Sequence, residues 1–161
     1  MLENNKNNQV QRNIGWLDVL ALILSFFVAI ISCSGALVTY LAEAQIPQAP
    51  LWPLPGLVLV EWVLLGLSGL ISAYLCLRRL SIIWLFTIWF LTGTFIPLMI
   101  LGAFSIGAGV LITLLLFAVS AIIFTIRQDG KWLASFGLLM LGSISNLVLL
   151  LIVITLGNTN Y

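Results

Sequence analysis

Apolar residues in this chain come in long unbroken blocks, neither the alternation of a half-buried strand nor the spaced stripe of a soluble helix. A hydrocarbon core about 30 Å thick takes roughly 20 apolar residues of helix, and blocks of that length recur. The first, 16–40, carries only Asp18; the second, 56–77, carries Glu61. After Arg78 and Arg79 nothing is charged from Leu80 to Ile126. That stretch is more than twice the length of one crossing, too long even with a strong tilt. Gly102, Gly107 and Gly109 supply its only central turn chemistry, so it divides into 81–101 and 106–126. A last block spans 132–156. The pattern predicts an all-α integral membrane protein, a bundle of five transmembrane helices.

Composition agrees and narrows the field. Of 161 residues, 62% are apolar and 7% charged, and mean hydropathy is +1.22, against roughly 25% charged in a soluble domain. A soluble enzyme, a nucleic-acid binder and a secreted disulfide scaffold are excluded, and the bilayer itself is the first expected partner. The six basic residues test the span count independently, because Lys and Arg collect on the cytoplasmic side. Lys6 and Arg12, Arg78 and Arg79, then Arg127 and Lys131 all fall on one side of a five-span thread. The expected topology has the N-terminus cytoplasmic and the C-terminus outside, in the plasma or inner membrane of a prokaryote. Residues 1–15 form a polar cytoplasmic arm, 16–157 the single membrane domain, and 158–161 a short outer tail. The first block exceeds a signal-peptide core, and Ser32-Cys33-Ser34-Gly35 lies deep inside it, so it is expected to stay as a helix.

Two outer features stand apart. The connection 43–55, EAQIPQAPLWPLP, holds four prolines and no base. Each proline fixes φ and removes a donor, so the strip is extended and stiff. Pro47, Pro50, Trp52, Pro53 and Pro55 make it either an interfacial anchor or a contact loop for a partner protein. Trp16, Trp52, Trp84 and Trp132 fall near span ends, as interfacial aromatics do, whereas Trp62 and Trp89 lie deeper, as packing residues. Helices in lipid approach where side chains are short. The faces Gly66/Gly69/Ala73, Gly109/Thr113 and Gly142/Asn146 are therefore expected helix contacts, and Pro97 should interrupt the backbone ladder of the third span.

Chemistry is sparse. There is no histidine, which removes the commonest base and metal ligand. Cys33 and Cys76 are expected to be buried small hydrophobes far apart. Asp18 sits in a first helical turn, where the dipole favours it, with Arg12 as its expected companion. Glu61 lies about 7–8 Å below the outer start of its helix, where an acid is costly and marks a cavity, a partner or the interface. Counting depth from the outer ends places Ser34, Thr94, Thr113 and Asn146 near that level, so these five residues define a candidate polar pocket. No catalytic residue, metal ligand or cofactor is indicated, and a bound lipid, quinone or pigment is compatible with the sequence. Three functions survive: a non-catalytic subunit or assembly factor of a larger membrane complex, with other membrane subunits as partners; a small oligomeric transporter or channel; and an intramembrane enzyme acting on lipid or quinone through Glu61. Elimination favours the first, since one acid without a base, dyad or metal is thin support for catalysis.

Overall fold

A computed structural model describes residues 15–45, 56–79, 81–102, 106–128 and 132–158. All of its regular structure is helical: α1 (Trp16–Glu43), α2 (Gly56–Arg79), α3 (Ile82–Leu101), α4 (Gly107–Arg127) and α5 (Trp132–Asn158). All five are long and apolar enough to cross a membrane. The arm before residue 15, the proline strip with Pro47, Pro50, Trp52, Pro53 and Pro55, and Arg12 and Lys131 lie outside the described residues. The expected boundaries shift at the ends. α1 continues past Tyr40 to Glu43, because Leu41, Ala42 and Glu43 suit a helix and the first proline comes only at 47. α2 takes in Arg78 and Arg79, and α5 runs on past the expected 156 to Asn158, with 159–161 outside the described residues.

α1 to α4 form an up-down-up-down bundle in ring order, α1 beside α2 and α4, and α3 likewise, with α2 and α4 touching across the diagonal. α5 stands outside the ring and packs chiefly on α3. α1 and α4 each show one buried stripe, Ala21, Ser25, Val28, Ser32 and Ala36 on α1, and Val110, Thr113, Phe117, Ser120 and Phe124 on α4, whereas α3, covered by α2, α4 and α5, is buried without a break from Leu91 to Phe95. Spacings of three and four place such residues on one face. Lipid is as apolar as leucine, so no hydrophobic gain draws these faces together; close packing and hydrogen bonds must do it.

Both devices are present. Trp62 of α2 is 1% exposed and wedges its ring against Gly35 of α1 and, at 2.8 Å from where a side chain would begin, Gly109 of α4. A side chain begun at Gly69 would lie 2.8 Å from the tip of Phe117 across the diagonal, and one begun at Gly66 2.6 Å from Ser32, so both positions require glycine's close approach. Phe117 in turn stands edge-on to Phe95, ring centres 6.0 Å apart. The expected small-residue faces are thus contact faces, and their neighbours are helices of this same chain. Polar ties cross the bundle as well. Ser120 donates to the Ala21 carbonyl at 3.0 Å and lies 2.9 Å from the Ser25 hydroxyl. The Trp89 indole donates to Thr125 at 2.7 Å and stands edge-on to Trp132, 6.4 Å between centres.

Candidate functional site

One end of the bundle carries the described basic residues and is locked there. Asp18, the third residue of α1, accepts from the Gly15 backbone N–H at 3.0 Å, which satisfies one donor of the helix start. The same carboxylate oxygen takes Arg127 Nη2 of α4 at 2.5 Å. Arg127, at the last turn of α4, is also well placed for the dipole of its own helix. Among the described residues the acid's partner is Arg127, far away in sequence; Arg12, its expected companion, lies outside the described residues. Nearby, Gln128 donates its amide to Cys76 Sγ at 2.9 Å. Both cysteines are free, Cys76 buried and Cys33 half-buried.

The only acid deep in a helix bundle face, among the described residues, is Glu61. Its neighbour Trp62 fills the bundle interior, and one residue earlier the helix has turned about 100°, so Glu61 points instead to the side where α2 and α5 flank α3. There a groove of about 430 Å³ has α2 (Leu57, Val60, Leu64, Ser68) as one wall, α5 (Ser145, Leu149, Val153) as the other, and Phe90 and Thr94 of α3 on its floor. Glu61 of α2 and Asn146 of α5 both line it. Asn146 donates Nδ2 to the Thr94 backbone carbonyl at 2.7 Å.

The bond lies one residue from a gap in the helix. Pro97 has no N–H to return to the Gly93 carbonyl, so the ladder of α3 is open there. Asn146 reaches the next carbonyl, that of Thr94, whose ladder donor would be Leu98, and ties α5 to α3. Asn146→Leu is expected to cost about 1 kcal/mol, the usual scale for a single interhelical hydrogen bond in lipid. Reversible unfolding in mild detergent measures it, and an unchanged midpoint would show that this bond adds nothing to stability.

Of the five residues expected to form a pocket, Glu61, Thr94 and Asn146 come together and the other two do not. Ser34 is exposed on α1, bonded back to the Ile30 carbonyl at 2.7 Å, and borders a separate shallow cleft of about 320 Å³ with Trp62, Ile106 and Gly109. Thr113 is buried against the bundle interior and returns its hydroxyl to Gly109 at 2.7 Å. Depth had grouped them; the angular position of each side chain separates them. Sequence reading missed Ser68 and Phe90 at the groove and the cross-bundle pairs Ser25/Ser120 and Trp89/Thr125; Ser145, which counting depth had placed near Glu61, lines it. Gly93, mid-helix and flanked by threonines, was the one available signal, since glycine there costs about 1 kcal/mol unless a neighbour needs the space. No protein-family model, curated protein or solved structure matches this chain. Among the described residues there is also no group of three or more His, Cys, Asp or Glu that could hold a metal.

Proposed function

We propose that this protein is a small, non-catalytic integral membrane subunit or assembly factor of a larger membrane complex, threading the bilayer five times with its N-terminus in the cytoplasm and its C-terminus outside, in the plasma or inner membrane of a prokaryote. The observation that carries the reading is how the intramembrane polar groups are used. Asp18 with Arg127, Ser120 with Ala21, Trp89 with Thr125 and Asn146 with Thr94 each tie one helix to another. Polar side chains spent this way make a stiff frame and leave few for a gated pathway or for acid–base chemistry. Other membrane subunits are the expected partners, with α5 offering them a wide apolar flank that includes Phe136, Ile144 and Val148. Topology rests on the side on which Arg78, Arg79 and Arg127 end their helices.

Purification in mild detergent, with a photo-crosslinking residue at Ile144, tests this. A stoichiometric membrane partner with one discrete adduct at Ile144, and none from Leu115 on α4, is expected. A monodisperse monomer without adducts would overturn the reading. Reporters fused at the two termini should read opposite compartments.

A second reading, a small oligomeric transporter, draws on the sideways-open groove at Glu61. Uptake into proteoliposomes that is lost in Glu61→Gln would favour it over the subunit.

A further inference from the structure

The groove at Glu61 differs from the two lateral clefts of about 480 and 660 Å³ between α1 and α2, whose linings hold no charged or amide side chain. The α2–α5 groove has the same greasy walls, but a carboxylate and a carboxamide sit at its waist.

Its dimensions limit what fits. Leu57 to Ser68 on α2 covers about 16 Å of helix axis. Along that length a groove of about 430 Å³ is narrow and deep enough to take one extended hydrocarbon chain. The volume lies within the ordinary range of small-molecule sites, and so does the pattern of apolar walls with a few convergent polar groups.

Glu61 sets the chemistry of the polar end. A carboxylate has about four acceptor positions, and Asn146, which lines the groove with it, has one amide hydrogen left to offer. The described guanidinium groups of Arg78 and Arg127 belong to the opposite end of the bundle, one bonded to Tyr74 and the other to Asp18. An acid at this depth is held at least cost when a cation or donor sits against it. Asn146 cannot supply more, since its other amide hydrogen is committed to Thr94.

We propose that the α2–α5 groove binds a long-chain primary amine. Its ammonium group pairs with Glu61 beside Asn146, and its single hydrocarbon chain lies between Leu64 and Leu149 over Phe90 and Thr94. The site is formed by this chain alone, so the subunit reading can fail while the site stands.

The test uses the full chain reconstituted in phosphatidylcholine vesicles and a hexadecylamine carrying a photoactivatable group in its tail. Adducts are expected on the α2 and α5 segments around Leu64 and Leu149, displaced by unlabelled hexadecylamine and not by palmitate or hexadecanol. Glu61→Gln should lower the labelling about tenfold or more, while Ser34→Ala leaves it unchanged. Ser145→Trp, on the exposed lip of the groove, should block labelling by filling the slot while the protein still melts like the wild type, so the result does not depend on how Glu61→Gln folds. Equal displacement by palmitate, labelling retained in both variants, or adducts spread evenly over Leu115 and Ile122 of α4 would each overturn the proposal. So would a protein adduct formed from a photo-crosslinker at Leu149, which would mean that a partner chain occupies the groove.

Discussion

Gly142→Leu is expected to release α5 from α3 while the four-helix ring stays folded. A side chain at 142 would begin inside the Phe90 carbonyl of α3, and one at 93 would begin inside the Leu139 carbonyl of α5. The obstacles are backbone atoms that cannot rotate away, so the helices must separate. Even Gly142→Ala or Gly93→Ala should therefore cost about 2 kcal/mol, the scale of overpacking a tight interface, and leucine more. Gly137 provides the control on the same helix. Nothing lies within 4 Å of its would-be side chain, so Gly137→Ala should be neutral or stabilise by up to about 1 kcal/mol through helix propensity. Thermal melts in mild detergent give the ranking. The near-ultraviolet dichroism of the Trp89–Trp132 pair, which bridges α3 and α5, should fade in Gly142→Leu. If Gly142→Ala melts at or above wild type, the close approach of α3 and α5 is wrong.

The second large effect lies at the other side of the ring. The Asp18 side chain is 10% exposed and that of Arg127 27%. Arg127→Met is expected to destabilise the fold by about 3 kcal/mol, because removing one member of a mostly buried pair strands the other charge. Asp18→Asn should cost less, since the amide oxygen can still accept from Gly15. The pair Asp18→Asn with Arg127→Met should recover much of the loss, giving a coupling energy of about 2 kcal/mol in a double-mutant cycle. Additive single effects would mean that the pair contributes little and that α1 and α4 are held by Ser25, Ser120 and their neighbours instead.

These two contacts show where reading the chain succeeds and where it stops. Five membrane-length helices were legible because the bilayer imposes a length and excludes charge, so the blocks and the breaks between them are written directly in residue type. The contact faces around Gly66, Gly109 and Gly142 were legible for a related reason: in lipid only short side chains let backbones meet. Glu61, Thr94 and Asn146 could be grouped by counting depth along helices. Ser34 and Thr113 passed the same count and yet belong elsewhere, because depth says nothing about the direction a side chain takes around its helix. That direction normally comes from amphipathic periodicity, and a membrane helix has little of it when lipid and protein neighbours are both apolar.

Residue types and their spacing thus determined the number of helices, their lengths, the level of each polar group and which faces could approach closely. Only the tertiary structure decided which faces meet. It paired Asp18 with Arg127, set Trp62 between Gly35 and Gly109, and hung α5 on α3 so that Glu61 looks into a side groove rather than into the bundle. The physical reason is that a bilayer constrains each helix along its axis, whereas rotation about that axis is settled by packing and hydrogen bonds between helices distant in sequence.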